Sequence, residues 1–245
     1  MPICTLHLLK FTKTTNLQSF LRQLQQSAKI ILASRPRHTV IHPTILDNDP
    51  LATEKWDLLL LLESNPNTPD PIPNNLRHTI TTEYKITTGI PSKLLQRYPT
   101  HNETLKRQSS SIPLTGSLNK FLSGGSKSTS QNLEISPSLL SFMDELTKTH
   151  TGPVTMLNLL HFHQPNGKAS YYQYGQAFIP VAGKRGGDAK LVGNVVAPQM
   201  QDGVRGSEGW NEISLVHYPS IRHFCDMLAG DDYQAINEKY RLSVR

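Results

Sequence analysis

The chain has 245 residues, 37% of them hydrophobic, a mean hydropathy of −0.39 and a formal charge of +6. No apolar run reaches the roughly 20 residues a bilayer-spanning helix needs, and Met1-Pro2-Ile3-Cys4-Thr5 has neither the charged region nor the apolar core of a secretory leader, so no membrane partner and a cytoplasmic location are expected. Two cysteines, Cys4 and Cys225, make neither a disulfide framework nor a metal cluster, and basic residues scattered singly along the chain argue against nucleic acid as a partner.

Residues 3–11 read as a strand. Asn16 opens an amphipathic helix whose apolar positions Leu17, Phe20, Leu21, Leu24, Ala28 and Ile31 recur at helical spacing, and which must end before Pro36. Residues 39–46 and 56–63 read as further strands, and 73–98 as partly helical with a break at Gly89-Ile90-Pro91. From about 100 to 136 the composition turns to Ser, Thr, Gly, Lys and Asn, which cannot bury enough apolar surface to order itself and reads as a linker. Ser136-Pro137 then starts a helix over 139–146. A strand at 154–162, a helix at 171–182, strands at 190–196 and 210–218, and helices from the cap Ser220 to Tyr240, broken near Gly230, complete the chain. The expected division is a first unit over 1–100, a linker over 101–136 and a second unit over 137–245.

Those two units repeat each other. Leu6-His7-Leu8-Leu9-Lys10-Phe11 and Leu157-Asn158-Leu159-Leu160-His161-Phe162 share the spacing L-x-L-L-x-F at an offset of 151 positions, and the only tryptophans, Trp56 and Trp210, open matching strands. Each copy reads β-α-β-β-α, one strand short of the ferredoxin-like split β-α-β unit, so the fold class is α+β. Leu58–Leu62 is apolar at both parities, as is the strand holding Met156, Leu157, Leu159 and Leu160. Both faces of such sheets need cover, and the economical second layer for each copy is the other copy: a pseudo-dimeric α/β barrel in one chain.

The segments Met156–Phe162, Tyr171-Tyr172-Gln173-Tyr174, Gly186-Gly187, Trp210 and His217-Tyr218-Pro219-Ser220 resemble a small uncharacterised-domain family of dimeric α/β-barrel proteins, related to the EthD-like and antibiotic-biosynthesis monooxygenase groups. The resemblance covers about residues 152–241. It implies face-to-face ferredoxin-like sheets around a pocket, and chemistry without an organic cofactor on aromatic or polyketide-like compounds by oxygenases, decarboxylases or cyclases. Family units continue into a closing strand, whereas this chain stops at Arg245.

His7 and Asn158 hold the same repeat position, each a polar residue inside an apolar strand, where an unsatisfied polar group costs about 1–3 kcal/mol. They either face a pocket or tie down a neighbouring strand. Glu212 and Ser214 share one strand face, and a carboxylate in an apolar cavity is a general acid or base near neutral pH. The expected roles are His7 and Glu212 in proton transfer, Asn158 and Ser214 in holding a substrate oxygen, Trp210 as an apolar wall and Tyr172 at the pocket mouth. His217, at the opposite parity, is explained by helix capping nearby. His161 and His163 share a face but lack a third ligand, so no metal is expected, and no phosphate loop or nucleophile elbow is present. The expected partner is a small molecule, with a homodimer also open to the chain. The alternative function is a non-catalytic ligand-binding or assembly protein on the same scaffold.

Overall fold

The computed structural model describes residues 1–42, 46, 51–64, 70–124, 135–163, 166–196 and 209–242. Among these the chain is α+β, and its seven strands lie in one antiparallel sheet in the order β2-β3-β1-β4-β6-β7-β5, with β1 Ile3–Phe11, β2 Ile30–Ser34, β3 Leu58–Ser64, β4 Ile80–Gly89, β5 Val154–Leu160, β6 Asp188–Val195 and β7 Glu212–Tyr218. No helix among the described residues is long and apolar enough to cross a membrane. The chain forms two interleaved compact units. The first is Met1–Gln96 with Val192–Ile213, and the second is Arg97–Leu191 with Ser214–Arg245.

In the first unit β1 is central, antiparallel to β3 with Leu6 opposite Leu61 and to β4 with Leu6 opposite Ile86. Helix α1 (Leu17–Leu24) starts where the Asn16 side chain accepts the Ser19 N–H at 3.0 Å. Its Phe20 and Leu24 join Leu9, Phe11, Leu58, Leu60, Leu62, Ile72 and Leu76 in one cluster. The alternate residues Leu6, Leu8, Leu59 and Leu61 are buried too, so the central strands are enclosed on both faces. Trp210 caps that second face by donating its indole N–H to the Tyr84 hydroxyl at 2.8 Å.

Several expectations change here. The helix ends at Leu24 instead of running to Ile31, because the β-branched pair Ile30-Ile31 enters β2 beside β3. No strand forms among the described residues of 39–46. The stretch 73–98 holds only a short α2 (Asn74–Arg77) before β4, whose Thr- and Ile-rich sequence pairs with the whole of β1. The first copy is therefore β-α-β-β-α-β, and the closing strand missing from its sequence reading is present.

In the second unit α5 (Pro137–Thr147) starts at a Ser136 cap, α6 (Gly167–Gly183) follows β5, and α7 (Ile221–Leu228) starts at a Ser220 cap and leads into α8 (Asp231–Ile236). The strands occur in the order β6-β7-β5, the counterpart of β2-β3-β1. The stretch read as a linker is helical over α3 (Ser92–Gln108) and α4 (Ser117–Leu122), while 125–134 lie outside the described residues. Side-chain partners order this polar segment. The buried Asp226 carboxylate accepts the Thr115 N–H at 2.8 Å, the Thr115 hydroxyl at 2.5 Å and the Leu118 N–H at 2.8 Å, while His223 Nε2 donates to the Ile112 carbonyl at 3.0 Å. Arg185, also buried, bonds Ser117 and Asp232.

Gly193 is where β6 can pass β4. A Cβ there would lie 2.4 Å from Thr88 Oγ1 and 3.0 Å from the Gly89 carbonyl, beside the pairs Thr88–Val195 and Gly89–Asn194. Gly193→Ala is expected to destabilise the fold by about 1–3 kcal/mol in urea denaturation. An unchanged midpoint would show that the strands tolerate the added carbon.

Candidate functional site

The expected site residues fall into different surroundings. His7 is fully buried in β1, on the helix-covered face with Leu9. Its Nδ1–H donates to Glu83 at 2.6 Å, its Nε2 lies 2.7 Å from Thr5 Oγ1, and that oxygen is 3.2 Å from Ser64 Oγ. Arg77 bridges Glu83 and Asp70. Burial raises the Glu83 carboxyl, but His7 and Arg77 outweigh it and hold the group at about 2. This buried polar chain has each member supplied, and it ties β1 to β3 and β4.

Asn158 meets Ser214 through the backbone: its Nδ2 donates to the Ser214 carbonyl at 3.4 Å. Glu212 is half-buried at the start of β7, Trp210 is engaged with Tyr84, and Tyr172 is 68% exposed on α6. The rings of His161 and His163 stand edge to face, 5.7 Å apart. No cluster of three metal-binding side chains occurs among the described residues. Burial pushes the Cys4 thiol up to about 11 and the Cys225 thiol to about 12, so neither is a thiolate at neutral pH.

A second cluster, in the second unit, gathers chemistry that the sequence reading passed over. Lys190, in β6, is 6% exposed, and its Nζ donates to Asn102 Oδ1 of α3 at 3.1 Å and to Thr155 Oγ1 of β5 at 2.9 Å. Both acceptors are neutral. The Tyr98 ring centroid lies 5.9 Å from Nζ. The nearest acid in sequence, Asp188, accepts from His101 Nε2 at 3.0 Å. Burial, with some repulsion from Lys106 and only partial relief from Asp188, brings the amine down to about 8.

His217, in β7, is also buried, and its Nε2 lies 3.4 Å from Ser109 Oγ. The Ser109 hydroxyl has one proton and gives it to the Leu105 carbonyl at 2.7 Å, so His217 Nε2 is the donor and Nδ1 carries the lone pair. Burial first, and the Lys190 charge next, lower this imidazole to about 4. The next residue, Tyr218, turns the other way: a Cβ on Gly187 would lie 2.9 Å from its ring and from Ala182 of α6. Strand alternation thus sends Tyr218 to α6 and His217 to α3. The readable signal was a lysine at the head of an apolar strand, Lys190-Leu191-Val192, and a histidine at the parity opposite Ser214. Their convergence on α3 was not readable, because α3 lies where composition indicated a linker.

No family model matches the chain, and no curated protein matches it. Among solved structures it is similar to the RPA0582 protein of unknown function from Rhodopseudomonas palustris and to methylated RPA0582 protein. Each is 20% identical with a TM-score of 0.33; the matches cover 44% and 45% of this chain and 85% and 84% of those chains. At that TM-score the likeness carries neither fold nor function over to this chain.

Both buried groups imprint on stability. The folded His217 pKa of about 4 lies below the ordinary 6.5, so the unfolded chain binds the proton first and stability falls as pH drops from 6.5 to 4, by roughly 3 kcal/mol. Denaturant titrations at pH 7.5 and 4.5 are expected to show this loss in the native protein and little of it in His217→Phe; equal losses would refute it. For Lys190 the folded value of about 8 lies below 10.5, so its burial costs stability below pH 8 and the cost fades as pH rises to 10.5. The stability of Lys190→Met relative to the native protein should therefore decline over that window, and a constant difference would contradict the buried-amine assignment.

Proposed function

We propose that this chain is a small-molecule enzyme that works without an organic cofactor on a carbonyl or phenol group of an aromatic or polyketide-like metabolite, with Lys190 and His217 as its working groups. The observation that carries the reading is Lys190 itself: a buried amine held by two neutral acceptors and brought to about 8, so that amine and ammonium forms are both populated near neutral pH. Removing a proton next to a carbonyl, or from a phenol, is a first step of cofactor-independent oxygenation and of aldol-type cyclisation, and returning a proton to carbon completes a decarboxylation. His217 stays neutral there and offers a lone pair. His7, with both ring nitrogens engaged, fits a strand tie better than substrate contact, and Glu212 with Ser214 is kept as a secondary acid-base candidate.

The scaffold reading accompanies this one. The first copy has the strand order β2-β3-β1-β4 of a ferredoxin-like unit, and the second repeats three of those strands in the matching order β6-β7-β5. Two paired units of this kind would make an eight-stranded barrel, and the described residues supply seven of those strands. That order supports a fused pseudo-dimer.

The test is a panel of aryl ketones, 1,3-diketones and phenols incubated under air with no added cofactor and followed by mass spectrometry. At least one compound should turn over, with kcat falling about 100- to 10,000-fold in Lys190→Met and unchanged in the exposed Lys148→Ala. A folded protein that binds a panel compound by calorimetry and converts none is instead a ligand carrier.

A further inference from the structure

We propose that Lys190 is a covalent nucleophile that takes the carbonyl carbon of an aldehyde or ketone as an imine. This rests on the reading of Lys190 as the working group and goes beyond it, since acid-base catalysis needs no bond to the enzyme.

The hydrogen-bond geometry accommodates a neutral amine. A neutral amine has two N–H donors and one lone pair; Asn102 Oδ1 and Thr155 Oγ1 accept two hydrogens, which leaves the third tetrahedral direction to the lone pair. An ammonium at the same place would carry a third N–H, and Lys190 makes no ion pair with a carboxylate among the described residues: Asp188 is turned to His101, and Glu103 to Lys106. The acceptors come from two elements, α3 and β5, so the nitrogen is held by both. The Tyr98 ring lies beside it as an aromatic wall, and its face attracts the cationic iminium that forms during the reaction. Burial first, and repulsion from Lys106 next, hold the amine far below an ordinary lysine against the partial relief of Asp188, while His101, Glu103, Tyr98 and His217 are the other titratable groups of this cluster.

The step balances without an oxidant or reductant. The nitrogen lone pair forms the C–N bond as the carbonyl π pair moves to oxygen; nitrogen loses a proton and oxygen gains one, giving a carbinolamine. A second proton on that oxygen lets it leave as water while the nitrogen pair closes C=N. Loss of the remaining N–H proton leaves a neutral imine, so amine and carbonyl have become imine and water. His217, close enough to feel the Lys190 charge, is neutral at this pH, and water carries the protons that move.

Acetylacetone is the probe, because its imine with an amine tautomerises to a stable enaminone that absorbs in the near ultraviolet. At pH 7.5 the native protein should be modified at Lys190 at least about tenfold faster than at Lys148, an exposed lysine whose amine is held above the ordinary value by Glu145. Peptide mapping would locate an added mass of the diketone less one water, and Lys190→Arg should lose the band with an unchanged circular dichroism spectrum. Equal or faster labelling of Lys148, or labelling of Lys190 only in urea, overturns the proposal, and this comparison within the native protein stands even if the variant does not fold. Labelling at Lys190 with no turnover of any panel compound upholds this inference and removes the enzyme reading. Turnover that depends on Lys190 while borohydride traps no adduct there removes this inference and leaves acid-base catalysis.

Discussion

The molecule is governed by strands that are apolar on both faces. In β3 every leucine from Leu58 to Leu62 is buried, and in β7 the run from Ile213 to Tyr218 is buried at both parities. At roughly 25 cal/mol per Å², leaving one such face in water would forfeit several kcal/mol per strand, so each sheet has to be covered twice. In the second unit α6 packs by Tyr218 on one side, and α3 with the turn after it brings Tyr98, Asn102 and Ser109 to the strand residues on the other.

That second cover is held by polar contacts, which is why it shares a place with the candidate chemistry. Residues 109–118 have little apolar surface of their own, and their order comes from fixed partners: His217 beside Ser109, His223 beneath Ile112, Asp226 under Thr115 and Leu118, Arg185 against Ser117. Burial pushes the Asp226 carboxyl up, but the hydrogen bonds from Leu118 and Thr115 and the Arg185 charge outweigh it and leave it below the ordinary value. A buried carboxylate with donors on the opposing segment acts as a cap for α4 from a distant part of the chain. The helix before it, α3, supplies Asn102 as an acceptor for Lys190, so a buried amine and its neutral cage follow from how the face is covered.

The contrast between two of the buried polar groups, His7 and Lys190, separates tie from candidate site. His7 has a carboxylate on one nitrogen and a hydroxyl on the other, and the carboxylate is matched by Arg77, so its charges are balanced within the first unit. Lys190 has hydrogen bonds but, among the described residues, no ion-paired carboxylate, and its ionised form carries the cost of burial. The His7 network supplies a partner for each of its groups, whereas the Lys190 amine, brought down to about 8, is populated in both forms near neutral pH.

Much of the architecture was legible. The α+β class, β1, β3, the helix after Ser136 and the Ser220 cap all follow from local apolar spacing and capping chemistry, which act over a few residues. β2 and β4 were misplaced because their β-branched runs are short and compete with helical spacing until β3 and β1 are beside them to pair. Within the candidate site the sequence shows a polar residue in an apolar strand and nothing about which face it takes or what lies across from it. His7 and Asn158 stood out for that reason, while Lys190 and His217 did not. Local sequence determined which segments were strands and helices, since hydrogen bonding and side-chain period are short-range. Only the tertiary structure decided that α3 covers Lys190 with neutral acceptors, because burial and the matching of charge depend on groups as far apart in the chain as Asn102 and Lys190.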